Sequence, residues 1–385
     1  MRQYLLIPGP TPLPDDVLEA SSWQMVNHRG PEFGRLFAET LAGLRRVFMT
    51  RHPVLAFTSS GTGGLEAAVV NLCSPGDTII AASSGWFGER FGEIGEAFGV
   101  HVVWVKAPWG QVVDPEAVRA ALAATPRARA VLVAQSETST GVRQDVAQIA
   151  AFVRGTPTLM VVDGISSVGA MELRTDEWGI DVVIAGSQKA LMAPPGLSLI
   201  SVSDKAWAAV AASRLPKFYW SFERMRKDLG ETEATTPFTP AISVVHALRV
   251  GIQRIEAEGL EACYERHRRT ARAVRAGIRA LGLEIVPREE DASETVTAVR
   301  LPEGVGANAL LDRLRTEHGV VLAGGMGQFQ GKIFRFGHLG WVSEDAVLAG
   351  LRALEVVLSE FGVRVGGGAV AAAKEVLAGA RVTGV

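Results

Sequence analysis

The sequence predicts an α/β fold, with a large domain on a mostly parallel seven-stranded sheet and a small α+β C-terminal domain. Three observations predict it. Short apolar, β-branched runs alternate with helical segments between residues 54 and 202. Those runs are continuously apolar, as in strands covered on both faces. The chain has 385 residues, enough for two domains with a sizeable core. The expected division is an N-terminal arm (1–20), a large domain (21–258) and a small domain (259–385).

Residues Pro8-Gly9-Pro10-Thr11-Pro12-Leu13-Pro14 are too rich in proline for a helix and predict an extended arm, either a plain tail or a strap across a partner or cleft mouth. Asn27-His28-Arg29-Gly30 is a polar loop before a helix from about Pro31 to Met49. In that helix Phe33, Leu36, Phe37, Leu41, Leu44 and Phe48 keep helical spacing. Glu32 lies close enough to pair with Arg29. Strand-like runs follow at Val54–Thr58, Thr78–Ala82, His101–Val105, Ala130–Ala134, Leu159–Val162, Val182–Ala185 and Leu197–Val202. Helical segments are expected at about 88–98, 115–124 and 145–153.

In parallel sheets ligands sit beyond the carboxyl ends of the strands. Five groups fall there: Ser60-Gly61-Thr62; Gly85-Trp86-Phe87; Glu137 to Gly141; Asp163 to Ser167; and Gln188-Lys189. Ser60-Gly61-Thr62 enters a helix whose free N–H groups and dipole suit a phosphate, although the spacing is neither Walker nor GxGxxG. Asp163 ends a buried strand and needs a cation or several hydrogen bonds. Phe87 offers a face for a ring, and Thr138 a hydroxyl for a ring oxygen. Lys189, just past a buried strand, is placed for a lowered pKa and Schiff-base chemistry. Together these groups form the inventory for pyridoxal 5′-phosphate.

These motifs resemble the class V aminotransferases of the alanine–glyoxylate or serine–glyoxylate type. The likeness is carried by Pro8-Gly9-Pro10, Ser60 to Ala67, Ser139-Thr140-Gly141-Val142, Val162-Asp163, Gly186 to Leu191, Pro194-Pro195-Gly196, Gly324-Gly325 and Arg335 to Gly340. It spans about residues 5–360. The resemblance implies fold type I, like aspartate aminotransferase, and a homodimer with active sites at the subunit interface. It implies Lys189 as the Schiff-base lysine, Asp163 on the ring nitrogen, and Phe87 and Ile165 on opposite ring faces. Gln188 belongs to the cofactor site, and Gly9 and Arg335 to the substrate site. Thr236 and Thr239 would reach the neighbouring subunit's phosphate, unless they cap the helix that follows.

Beyond about residue 259, Leu260–Leu281 reads as a basic amphipathic helix whose Arg266-His267-Arg268-Arg269 run is a solvated face. Strands are expected at Thr295–Leu301 and Lys332–Phe336, with a mobile Gly-rich loop, Ala323 to Gly331, between them. Gly366-Gly367-Gly368 is a hinge before a short alanine-rich helix with no role legible in sequence.

Bulk properties narrow the alternatives. The chain is 48% hydrophobic and 21% charged, hence globular. Its net charge of −2 gives no reason to expect nucleic acid or an anionic membrane, and no apolar run is long enough to span a bilayer. Two cysteines, Cys73 and Cys263, fit a reducing compartment. The first residues break at Pro8 too early for a signal peptide, and Val382-Thr383-Gly384-Val385 is not a peroxisomal address. The expected location is cytoplasmic, and no metal is expected. A phosphoserine- or aspartate-type aminotransferase stays open, because His28-Arg29 resembles a phosphate-reading pair. A cysteine desulfurase would need a thiol on a mobile loop at the site mouth, and the loop before Phe334 has none.

Overall fold

A computed structural model describes residues 3–230 and 232–379 of the chain. Seven strands form the large sheet: β1 (Val54–Thr58), β2 (Thr78–Ser83), β3 (His101–Lys106), β4 (Ala130–Ala134), β5 (Leu159–Asp163), β6 (Val182–Gly186) and β7 (Leu197–Val202). Their spatial order is β1-β7-β6-β5-β4-β2-β3. Only β7 is reversed, because the Pro194-Pro195-Gly196 turn sends it back antiparallel between β1 and β6.

Period-2 geometry sends successive side chains of each strand to opposite faces. Ile80, Val131, Val133, Val162 and Val183 enter one apolar core. Ile79, Leu132, Val161, Val182 and Ile184 enter the other. Both faces are therefore covered, which is why the strands read as unbroken apolar runs. The strand ends come out level: Asp163 sits opposite Ala134 of β4 and Ile184 of β6.

The C-terminal part carries β8 (Val296–Arg300), β9 (Ala323–Gly324) and β10 (Ile333–Gly337), antiparallel in the order β8-β10-β9. Helices Leu260–Ala280, Ala307–His318 and Glu344–Glu360 build its core. The alanine-rich helix, Ala369–Gly379, buries Ala369, Ala373 and Leu377 in the same core. Gly277 admits that close approach, since a Cβ there would lie 2.5 Å from Leu351 Cδ1 and 3.1 Å from the Ala369 carbonyl oxygen.

Several expectations need correction. The arm is neither a tail nor wholly extended. Tyr4–Leu5 pairs in parallel with Val320–Val321, and a helix, Asp15–Ser21, starts directly after Pro14. The second helix ends at Val47, where Phe48 caps it before Met49 takes a φ of 51°. The helix expected from Gly88 begins at Trp86, so Phe87 lies in its first turn. The loop expected to be mobile contains β9 and a 3₁₀ turn at Gly327–Phe329. In the basic run, Arg266 pairs with Glu258 and Arg269 with Glu344, while His267 is fully buried and accepts from the Gly340 N–H. Only part of that run is a solvated face. Cys263, on the same helix, is buried. Residues 382–385 lie outside the described residues.

Candidate active site

The site forms where the carboxyl ends of β4, β5 and β6 meet the arm and the C-terminal part. A cavity of about 240 Å³ is lined there by Gly9, Ser60-Gly61-Thr62, Phe87, Thr138, Asp163, Ile165, Gln188 and Lys189, among others. A larger cleft, about 450 Å³ between Gln144 and Glu290, lies elsewhere and holds none of these residues. Chemistry, and not volume, marks the site.

Asp163 is the last residue of β5, buried, with one carboxylate oxygen accepting from the Ile165 N–H at 2.9 Å. Burial, helped by the nearby Glu137 carboxylate, raises it from the ordinary 3.8 to about 7. Lys189 and Arg90 act against that rise. Lys189 follows β6 by three residues. Part of the residue remains exposed, but its ammonium end is desolvated, which lowers it from 10.5 to about 8 against the pull of Asp163. Its Nζ donates to the Pro8 carbonyl at 2.5 Å. Gly9 is next to it: a Cβ there would lie 2.7 Å from Nζ, so only glycine leaves the amine room. Thr11 holds the lysine's backbone, its N–H donating to the Gln188 carbonyl and its hydroxyl to the Lys189 carbonyl, both at 3.1 Å.

Ser60 precedes helix Gly61–Leu72 and makes no side-chain cap, which leaves the first-turn N–H groups without that partner where Ser60, Gly61 and Thr62 line the cavity. Gly61 is required by packing, since a Cβ would lie 2.5 Å from Ile165 Cδ1. Thr138 shares a hydroxyl hydrogen bond with Ser166 at 2.7 Å. Arg335, on β10, is buried and donates to the Gly324 carbonyl at 2.9 Å and the Thr138 carbonyl at 3.1 Å. Burial lowers it to about 10. It thereby joins the C-terminal part to the strand-end loop of β4.

Two groups to which the sequence assigned no role, Glu137 among the strand-end residues and Arg90, complete the setting. Glu137 is fully buried and accepts from the N–H groups of Phe87 and Gly88 at 3.1 and 2.9 Å, and from the Ser139 hydroxyl at 2.6 Å. It fixes the helix turn that carries Phe87, and burial raises its pKa. Arg90 lines the cavity with its guanidinium carbon 5.2 Å from the Phe87 ring centre. Its position three residues after Phe87 on a helix was the available signal.

Thr236 and Thr239 do not join this cavity in their own chain. They line a small cleft with Thr58, Tyr219 and Phe238. Neither caps helix Ile242–Glu258, whose N-cap is Ala241 without a side-chain bond. The Thr236 hydroxyl donates to the Phe238 carbonyl at 2.6 Å. Arg29 donates to the Thr236 and Pro237 carbonyls at 3.1 and 3.4 Å and makes no ion pair with Glu32 among the described residues.

The arrangement fits a phosphorylated aldehyde with a basic ring. Asp163 needs a cation, the Ser60-Gly61-Thr62 turn needs an anion, and the buried Gln188 Oε1 lacks a partner among the described residues. Phe87 and Ile165 supply two apolar faces. A desolvated lysine beside a buried carboxylate is a pairing suited to amine–carbonyl exchange. Residues 3–330 match the family model of aminotransferase class-V, and the chain belongs to that family. The chain is 42% identical to the soluble hydrogenase small subunit of Synechococcus sp., over 98% of both chains. It is 38% identical to the L-aspartate–glyoxylate aminotransferase of Paracoccus denitrificans, over 96% of this chain and 95% of that one. The crystal structure of ureidoglycine–glyoxylate aminotransferase from Bacillus subtilis superposes with a TM-score of 0.93 at 30% identity, covering 98% of each chain. The protein is an aminotransferase with the α/β fold of those enzymes.

Proposed function

We propose that the protein is a pyridoxal-phosphate-dependent aminotransferase acting as a homodimer. On this reading it moves an amino group from a small amino acid (alanine, serine or aspartate) to a 2-oxo acid, glyoxylate or pyruvate. The observation that carries it is Lys189 and Asp163 facing one cavity, with Arg335 bonded to the backbone of Thr138, which lines it. Glyoxylate is favoured because the two similar aminotransferases named above share it in their names. The division into arm (1–20), large domain (21–258) and small domain (259–385) belongs to the same reading, as does a cytoplasmic location. Among the described residues no helix is long and apolar enough to cross a membrane.

Ser60, Gly61 and Thr62 would hold the cofactor's phosphate, Phe87 and Ile165 its ring faces, Asp163 its ring nitrogen and Thr138 its ring oxygen, with Gln188 also at the cofactor. In a homodimer, the segment of a second copy would bring Thr236 and Thr239 to that phosphate. When bound, pyridoxal phosphate supplies an electron-accepting ring for the bond broken at the substrate Cα. Lys189 would hold the aldehyde carbon and, as a free amine, would move the proton at Cα. Pro8 O and Gly9 keep that amine close and uncrowded. Arg335 holds the α-carboxylate by two N–H groups, and Gly9 lines the substrate's side of the amine.

Replacing Arg335 with lysine keeps a charge but loses the planar two-point grip. Arg335→Lys should lower kcat/KM for every amino acid by roughly 10- to 100-fold while cofactor affinity hardly changes. A defect confined to one substrate would mean that Arg335 reads a side chain.

The donor is tested by half-reaction spectra of the purified protein against alanine, serine, aspartate and phosphoserine. Arg29 is turned to the carbonyls of Thr236 and Pro237, which favours a structural role and a small donor over phosphoserine. Arg29→Ala should slow all donors alike or weaken the dimer. A selective collapse of aspartate and phosphoserine would instead place Arg29 at the substrate. The desulfurase reading finds no support, since Cys73 and Cys263 are buried away from the cavity and burial pushes both thiols up to about 12.

A further inference from the structure

Arg90 has no assigned role in the reaction, yet it stands in the cavity. Helix Trp86–Ala97 carries it one turn beyond Phe87. Its guanidinium lies over two rings, 5.2 Å from the centre of Phe87 and 6.0 Å from that of Trp86. Its Nη1 donates to the Thr62 hydroxyl at 3.4 Å, on the first turn of the helix that Ser60 opens. Nearby acids are engaged elsewhere. Glu89 reaches Lys106 and the Trp109 indole N–H. Glu66 accepts from the Trp220 indole N–H. Glu137 is taken up by the N–H groups of Phe87, Gly88 and Ser139. Among the described residues Arg90 forms no ion pair; Asp163, the carboxylate of the same cavity on which it acts, makes no contact with it, so a half-buried guanidinium faces the cavity without a direct acidic partner.

From this geometry we propose that Arg90 is the fixed cation of the phosphate cradle, contributed by the same chain as Ser60-Gly61-Thr62. This rests on the pyridoxal-phosphate reading and extends it to a residue outside the cradle. A phosphate over the first turn of helix Gly61–Leu72 receives backbone N–H groups and the dipole's positive end. A guanidinium adjoining Thr62 adds charge and a planar pair of donors matched to two phosphate oxygens. Stacking on Phe87 holds that plane in place before the anion arrives, which lowers the ordering cost of binding. Arg335, which is buried, stands with Thr138 and Gly324, so it and Arg90 serve different anions.

The test compares pyridoxal phosphate, pyridoxal and inorganic phosphate binding to the cofactor-free enzyme by titration calorimetry. It uses wild type, Arg90→Gln and Arg90→Lys. Loss of a charge-assisted contact predicts roughly 10- to 100-fold weaker pyridoxal phosphate in Arg90→Gln, with pyridoxal unchanged and inorganic phosphate no longer competing. Arg90→Lys should recover part of the affinity and guards against a folding defect in the glutamine variant. Equal weakening of pyridoxal and pyridoxal phosphate would overturn the proposal in favour of a role in holding Phe87. Unchanged cofactor affinity with a raised KM for amino acids would overturn it in favour of a substrate-reading arginine. If wild type takes up neither pyridoxal form, the cofactor reading itself fails, and this outcome is distinct from the other two.

Discussion

Lys189→Ala is expected to bind pyridoxal phosphate without a borohydride-reducible link and to lose turnover by roughly 10³-fold or more, since it removes both the nucleophile and the proton carrier. Among the described residues lining the cavity Lys189 is the only lysine, and its Nζ is held by the Pro8 carbonyl and left room by Gly9. The pH dependence of aldehyde capture by the cofactor-free enzyme provides a second reading. Desolvation lowers Lys189 from 10.5 to about 8, so the neutral amine grows as pH rises through about 8. The capture rate should rise across that window and level off above it, well before an ordinary lysine would. Peptide mapping after reduction identifies the residue. A reducible link persisting in Lys189→Ala would mean that another amine does this work.

Asp163→Asn should retain cofactor but slow the half-reaction by about 3 kcal/mol of barrier or more, roughly 10²-fold. Asparagine keeps the shape and an acceptor oxygen for the Ile165 N–H, yet carries no charge to hold a ring nitrogen protonated. A second consequence concerns stability. In the cofactor-free fold Asp163 is raised from 3.8 to about 7. A carboxyl with a raised folded pKa holds its proton more tightly folded than unfolded. It therefore withdraws stability as pH climbs from about 4 to about 7, on the order of 4 kcal/mol by the upper end. Denaturant melts of the cofactor-free protein at pH 5 and pH 7.5 should show roughly 2.5 kcal/mol of this loss in wild type and its disappearance in Asp163→Asn. Bound cofactor, with a cationic nitrogen beside Asp163, should restore the wild type at the higher pH. Near-normal turnover together with an unchanged pH slope in Asp163→Asn would reduce Asp163 to a turn-forming residue.

Legibility followed the geometry of parallel sheets. Each strand announces itself by an apolar run, and its carboxyl end is the next few residues in sequence. That is why Ser60-Gly61-Thr62, Thr138, Asp163, Ile165, Gln188 and Lys189 could be grouped before any coordinates, and why all of them line one cavity. Phe87 was found for the same reason, although its helix starts two residues earlier than expected. Arg335 was different. Nothing local marks it as a site residue, and the resemblance to a family supplied its role.

What the sequence by itself determined was the strand–helix alternation, the two-sided burial of the large sheet, and the identity of the groups at its carboxyl edge. Local pattern suffices for these because each depends on residues within a few positions of one another. Only the tertiary structure decided the rest. Pro8 and Lys189 are 181 residues apart in sequence yet share a hydrogen bond, and Arg335 reaches Thr138 across 197 residues. The arm's role as a strap over the lysine, the turn of Arg29 toward Thr236, the use of Glu137 to hold Phe87 and the approach of Arg90 to Thr62 are of the same kind. Each is a meeting of polar groups that would be costly to bury alone, brought about by the packing of apolar cores in which they take no part.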